Sequence, residues 1–359
     1  MEMKIGLGLH IEYVFEELLS RVGWTTVHNK EEESMNSIQR WNRCIIFAAA
    51  AALLGQVGAA TAQQYPNKPV RVIVAFAAGG FADFMGRSIG QKLTDRLGQS
   101  FVIDNRGGAG GTYGAKIASE SAPDGYTLLV NTAASTVAPS LYKNLGYDLV
   151  KDFTPVANTV SAAGLFSVLT SNPARDLKDL IQRSKGKQLN YATAGVGTSS
   201  HIGADYLLRV LAKLDAVHVP FKGGGPATIA VLGGQVEVLY GSMAALPYIQ
   251  AGRMKGLGVA SLKRVEALPD VPTVAEAGFP GFEERSWVGF FAPVGTPVAI
   301  VNRLNQEINR ALTSPDIVKN INLRGMQMHP GSPADFARFV RAEFEKWAKM
   351  VKITGVKVE

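Results

Sequence analysis

The chain has 359 residues, a formal net charge of +7, one cysteine and five histidines. A single cysteine excludes an internal disulfide and Cys-ligated zinc, and the histidines show no HxH or HxxxH spacing, so neither a metal site nor a cofactor is expected. The length suits two lobes, and the positive charge lacks the Lys/Arg blocks that would point to nucleic acid; it either draws in small anions or serves solubility.

Residues 35–62 read as a secretory signal peptide. Met35 to Arg43 is a short basic head, Cys44 to Leu54 is apolar, and Ala60-Thr61-Ala62 is a small-x-small cleavage signal before Gln63. The apolar run is too short to span a bilayer. Export to a bacterial periplasm is therefore expected. Because such signals begin at an N-terminus, Met35 is the expected start and residues 1–34 an upstream extension from a misassigned start codon. The alternative is a genuine N-terminal helix, since Ile11 to Leu19 has helical periodicity. The exported form then has 297 residues, 32 basic and 23 acidic side chains, no cysteine, and the histidines His201, His218 and His329. Thiol catalysis is thereby excluded.

Apolar strands and amphipathic helices alternate from Tyr65 onward. Val70 to Phe76 is a strand, Gly79-Gly80 breaks it, and Met85, Ile89, Leu93 and Leu97 mark one helix face. Strands follow at 101–104 and 127–130, with Arg106 to Gly111 and a small-residue helix between them. The pattern restarts near residue 165. Strands are predicted at 165–169, 190–192, 217–220, 236–240 and 257–260, with helices at 177–184, 202–211 and 226–232. Prolines interrupt regular structure after Pro269, and Val288 to Ala292 resumes as a strand. Pro297 to Leu312 is a helix with proline in its first turn. Ser332-Pro333-Ala334-Asp335 has the N-cap, N1 proline and acidic N3 of a further long helix. Strand–helix repetition predicts parallel, doubly wound sheets.

The clearest chemical signal is the stretch from Phe76 to Arg87, a strand end, a diglycine turn and a helix start. Glycine lets a ligand approach the amides closely, and a helix N-terminus accepts an anion. The same residues also read as a structural turn with Asp83 as a helix-start acid. Thr193 to His201 is a second such turn, in which Thr198 and Ser199 cap a helix or bond an anion, and His201 either meets a carboxylate or packs. It lacks the third glycine of a dinucleotide fingerprint, and no GxSxG elbow is present. Phe221 to Pro226 is a third turn and Asn105 to Gly111 a fourth. Two such turns facing each other, one per lobe, would clamp an anion.

From Tyr65 to its end the chain resembles the periplasmic solute-binding proteins of tripartite tricarboxylate transporters, the Bug family. The resemblance is carried by Tyr65-Pro66-x-Lys68-Pro69-Val70, Gly79-Gly80-x-x-Asp83-x-x-x-Arg87, Asp104-Asn105-Arg106 with Gly108 to Gly111, and Pro123 to Leu129. It continues through Asp152 to Val156, Gly195-x-Gly197-Thr198-Ser199-x-His201, Pro220 to Gly224, Leu268 to Glu276, Trp287-x-Gly289 and Ala292-Pro293-x-Gly295-Thr296-Pro297. It implies an α/β, two-lobed periplasmic-binding-protein (Venus-flytrap) fold, with two doubly wound sheets and a double crossover hinge near Thr159 and Ser286. Lobe one would be 65–160 plus 288–359, and lobe two 161–287. It also implies a monomer whose partners are a small organic acid and the membrane subunits of a transporter. Carried over residue by residue, the contacts are Gly79, Gly80, Asp83, Thr132 and Ser135 from lobe one, and Gly195, Thr198, Ser199 and His201 from lobe two.

There are departures from the family pattern. Ala78 replaces the usual proline before the diglycine. Phe81 replaces a small residue or proline, and either stacks on an aromatic ligand or fills the lobe-one core. Gly241-Ser242-Met243 stands where many members carry an acidic or amide residue, which disfavours an amino-acid ligand. A binding protein for a small carboxylate is the leading expectation. A periplasmic sensor feeding a signalling kinase is the alternative. An enzyme is disfavoured because no carboxylate pair, thiol, metal cluster or nucleophile motif is evident.

Overall fold

The structure is a computed structural model and describes residues 65–242 and 244–357. The expected upstream extension and signal peptide, with Cys44, lie outside the described residues, as does Met243. In chain order the elements are β1 (Val70–Val74), α1 (Phe81–Leu97), β2 (Phe101–Asn105), α2 (Thr112–Ser119), β3 (Thr127–Thr132), α3 (Ala134–Val137) and β4 (Phe153–Leu169). Then come α4 (Leu177–Ser184), β5 (Leu189–Thr193), α5 (Ser199–Asp205), β6 (Ala216–Pro220), α6 (Gly224–Leu232), β7 (Val238–Ser242), α7 (Leu246–Gln250) and β8 (Met254–Val259). The chain finishes with β9 (Arg285–Pro293), α8 (Val298–Leu312), α9 (Pro315–Leu323), β10 (Gln327–Met328) and α10 (Pro333–Thr354).

One strand organises the molecule. β4 runs for 17 residues, about 56 Å at 3.3 Å per residue. Its first part pairs with β9, from Phe153 opposite Pro293 to Ala163 opposite Arg285. Its second part pairs with β7 and β8, beginning at Gly164 opposite Ser242 and Leu165 opposite Val259. The strand order is β2-β1-β3-β9-β4-β7-β5-β6, with β8 and β10 also on β4. Register shifts between Pro155 and Ala157 and between Asn158 and Val160 allow so long a strand to bend, as bulges do.

The outer strands are parallel, as the strand–helix alternation predicts: β1 with β2 and β3, and β5 with β6 and β7. The sheets as wholes are mixed, because β4 is antiparallel to β7, β8 and β9, and β3 to β9. The reason is topological. β4 leaves one lobe and β9 returns to it, so the two crossovers lie side by side in opposite directions. A local apolar pattern reports strand type and leaves direction open, and residues 153–164 were not predicted as strand at all. The helix expected at 202–211 is α5 followed by a wider π-helical turn, Tyr206–Leu211, in which both Leu207 and Leu208 are buried. Pro297 is the residue before α8 and not its first turn.

Each lobe has its own apolar core. In lobe one Met85, Ile89 and Leu93 of α1 pack with Val72, Val130 and Phe290, and this cluster continues across the crossovers to Trp287, Leu165 and Val259. In lobe two Phe166, Tyr191, Leu207, Leu208 and Tyr240 form the main cluster, with a smaller one around Ala192, Val231 and Leu239. α10 closes lobe one. Ser332 and Asp335 form a reciprocal capping box at its start, and Trp287 donates through Nε1 to Glu343 Oε2 at 3.0 Å. Phe336 lies over the backbone of Gly289 so closely that a Cβ there would enter its ring. Gly289→Ala therefore forces α10 off β9, and overpacking of this kind costs about 1–3 kcal/mol. Denaturant unfolding should show a lowered midpoint at unchanged slope; an unchanged midpoint would refute the packing argument.

Candidate functional site

The loops singled out in the sequence meet across the cleft in facing pairs. Gly79-Gly80 opposes Gly224-Gly225: a Cβ on Gly80 would stand 3.3 Å from Gly224 N, and one on Gly225 would run into the carbonyl of Ala78. Gly107 lies under Lys222, where a Cβ would be 2.8 Å from the carbonyl oxygen, and Gly110 lies against the carbonyl of Val196. The Ala77 N–H donates to the Lys222 carbonyl at 2.9 Å. The cleft is therefore closed, and its lips are backbone against backbone.

Behind the lips is a cavity lined by Phe76, Gly80, Phe81, Ala82 and Thr132 from one side and by Ala194, Thr198, Ser199, Ser200, Gly224, Tyr240, Gly241, Ser242 and Ala244 from the other. Leu239, Glu284 and Ser286 complete it, and it offers about 40 Å³ to water-sized molecules, room for about three waters. Of the predicted residues, Gly80, Phe81, Thr132, Thr198 and Ser199 line this cavity. Gly79, Asp83, Ser135, Gly195 and His201 do not.

Those five shape the loops instead. The Gly79 N–H donates to Asp83 Oδ2 at 2.9 Å, and Asp83 also accepts from Arg87 Nε at 3.1 Å and Asn105 Nδ2 at 2.9 Å. Burial pushes the Asp83 carboxyl up, but these donors outweigh it and hold it below its ordinary value. Ser135 Oγ donates to the Thr132 carbonyl at 2.8 Å, directly after β3. The Gly195 carbonyl accepts from Thr198 Oγ1 at 2.8 Å, and Thr198 caps α5 by accepting the His201 N–H at 3.2 Å. His201 Nδ1 accepts from the Gly197 N–H at 3.2 Å, and its ring stacks on His218 at 3.8 Å between centroids. Burial lowers the His201 pKa to about 4; burial and the neighbouring His201 lower that of His218 to about 3. Both are neutral at pH 7, so neither supplies a cation to an anionic ligand. Phe81 is 8 % exposed and packs with the lobe-one core, which leaves little of its face for stacking.

Sequence reasoning missed Tyr240 and Glu284. Glu284 is 4 % exposed. Its Oε2 accepts from the Tyr240 hydroxyl at 2.8 Å, and its Oε1 has no hydrogen-bond partner among the described residues. Burial raises its pKa against the lowering effects of Tyr240 and Ser199. In the sequence Glu283-Glu284 looks like a solvated acidic pair ahead of a strand. No local signal shows that the second of the two turns inward at the crossover.

Two lobes joined by crossing strands, with facing glycine turns around a small enclosed cavity, define a solute-binding protein of the two-lobed periplasmic type. A family model described as the tripartite tricarboxylate transporter family receptor, TctC, matches residues 85–356, and the chain belongs to that family. It is similar to the solved periplasmic binding protein BugD, at 33 % identity and a TM-score of 0.79 over 82 % of this chain and 100 % of that one. It is also similar to Rpa4515 of R. palustris, solved with adipate, at 34 % identity and a TM-score of 0.78 over 82 % and 99 %. MatC from Rhodopseudomonas palustris, solved with bound malate, is 36 % identical with a TM-score of 0.76 over 80 % and 100 %.

Asp83 lies outside the cavity behind the lips, yet it fixes the loop that presents the Gly80 backbone. Asp83→Ala should weaken ligand binding although it removes a negative charge. Loss of a charge-assisted bond of about 1.5–3 kcal/mol corresponds to roughly ten- to a hundred-fold in affinity. Tighter binding by calorimetry, with the fold intact, would refute this role.

Gly225→Ala separates closure from folding. Alanine is the better residue in a helix, so stability should hold or rise. Its Cβ would run into the Ala78 carbonyl across the closed cleft, so affinity should fall by about ten-fold or more, and ligand should no longer reduce the radius in small-angle scattering. Unchanged affinity would show that closure tolerates a Cβ there.

Proposed function

We propose that this protein is an exported, periplasmic binding protein that closes its two lobes on a small mono- or dicarboxylate. It then delivers that solute, as a monomer and without turnover, to the membrane subunits of a tripartite tricarboxylate-type transporter. The observation that carries this reading is the pair of facing glycine turns, each opening a helix over one cavity. Helix N-termini present free N–H groups and a positive dipole end, so they hold a carboxylate without a cationic side chain. The relatives solved with adipate and with malate support the ligand class.

In this reading lobe one comprises 65–160 and 288–359, and lobe two 161–287. Gly80, Thr132, Thr198 and Ser199 bond the ligand, Phe81 supplies apolar contact, and Gly79, Asp83, Ser135, Gly195 and His201 hold the loops in shape. About four charge-assisted bonds at roughly 2 kcal/mol each give about 8 kcal/mol before association costs. Apolar contact with Phe76, Phe81 and Leu239 offsets part of those costs, which makes micromolar affinity reasonable.

A thermal-shift screen of mono-, di- and tricarboxylates, followed by calorimetry on matched pairs, tests this. Succinate should bind more tightly than aspartate, since burial holds Glu284, the acidic side chain that lines the cavity, toward its neutral form. Tight binding of aspartate alone would overturn the ligand class and leave the binding-protein reading standing. Steady turnover of any captured acid would overturn the binding-protein reading itself.

A further inference from the structure

We propose that Glu284 is a specificity-determining residue of the cleft: held as a neutral carboxylic acid, it donates a hydrogen bond from Oε1 to an acceptor oxygen of the bound carboxylate. The proposal rests on the reading of the cavity as a carboxylate site and names a contact within it.

The backbone fixes this residue where the lobes join. The Glu284 N–H donates to the Ala260 carbonyl at 3.0 Å, and its carbonyl accepts from the Gly164 N–H at 3.0 Å. Room for the side chain comes from two glycines. A Cβ on Gly203 would lie 2.8 Å from Glu284 Cγ, and one on Gly164 would collide with Oε2. The carboxyl is thus clamped between β4, α5 and β7 at the cavity wall.

Its oxygens are unequal. Oε2 is taken by the Tyr240 hydroxyl, and Oε1 is sealed from solvent with no partner among the described residues. The groups facing it are Tyr240 from β7, Ser199 from α5, and Lys346 and Glu343 at longer range from α10. Lys346 is already held by Glu343 Oε1 at 3.1 Å. Among the described residues no cation therefore touches the Glu284 carboxyl, and burying an unpaired charge is far costlier than keeping the proton. Tyr240 donates to Oε2, so the proton belongs on Oε1. An anionic ligand beside it strengthens that preference by repelling the ionised form. The neutral acid then needs an acceptor, and a carboxylate oxygen supplies one. An ammonium group at the same place finds a donor where it needs an acceptor, so the residue discriminates against amino acids. Affinity should be highest while Glu284 keeps its proton and should fall as pH rises through its deprotonation.

Two measurements test this. Infrared difference spectra of ligand-free wild type against Glu284→Gln should show, at pH 7, a protonated-carboxyl C=O band that the variant lacks; a carboxylate band alone would overturn the proposal. Calorimetry with succinate, malate and adipate should show Glu284→Ala about ten- to a hundred-fold weaker. Glu284→Gln, whose amide donates from the same position, should recover most of that loss and bind without the decline at high pH. Should Glu284→Ala fail to fold, Glu284→Gln alone decides the matter through its affinity and pH profile. Wild-type affinity in the alanine variant, or tight aspartate binding that Glu284→Gln destroys, would refute a neutral donor. If the wild type binds none of the three acids, the carboxylate reading falls and the proposed bond with it, and the infrared band still reports separately whether Glu284 is neutral.

Discussion

Everything in the cleft depends on how closely two backbones can approach. Gly225 against Ala78 and Gly110 against Val196 leave no space for a Cβ in the closed state, and Gly80 against Gly224 leaves little. Close approach is also what frees the helix-start amides to point at a small solute, because a side chain at these turns would hold the lobes apart and admit water. The same glycines that permit closure thus make the site polar without side chains. Specificity then falls to the few side chains that reach the cavity from behind the lips.

The crossovers set what those side chains can be. β4 passes through both sheets, and β9 returns beside it, so residues at their junction stand where the two sheets meet. Glu284 lies there, knit to Ala260 and Gly164. With Tyr240, Gly203 and Ser199 against it, it presents its carboxyl from the same lobe as Thr198 and Ser199.

Much of this was legible in the sequence, and the boundary has a physical origin. The diglycine and Gly-rich turns stand out because backbone requirements are local: φ of +80° at Gly79 and +136° at Gly195 restrict the residue type at the position itself. α1, α4 and α10 were legible for the same reason, since helix periodicity and the Ser332–Asp335 capping box are contained within a few residues. Residues 153–164 of β4 were not, because a strand buried along nearly its whole length shows no alternation. Strand direction was not legible either, since it is decided by where the chain goes next. Which glycine-turn residues face the cavity and which fold back on their own loop also depends on partners elsewhere. Asn105 turns Asp83 inward, and His218, packed on His201, keeps that ring in the structure of lobe two.

On the proposed reading, a cavity with neutral histidines behind it and no arginine among the described residues that line it holds an anion by hydrogen bonds alone, and that has a consequence for release. A carboxylate paired with a buried guanidinium would leave an uncompensated charge behind whenever it departed, a large barrier to hand-over. Amides, hydroxyls and a neutral carboxyl carry no net charge, so the emptied cleft needs only water to satisfy them. Binding can then be tight when the lobes are shut and weak when they part, with the difference set by how many donors lie within reach. A protein that captures a solute and surrenders it to another protein requires that property. In the proposed function it would follow from glycine at the lips and from a carboxyl that keeps its proton.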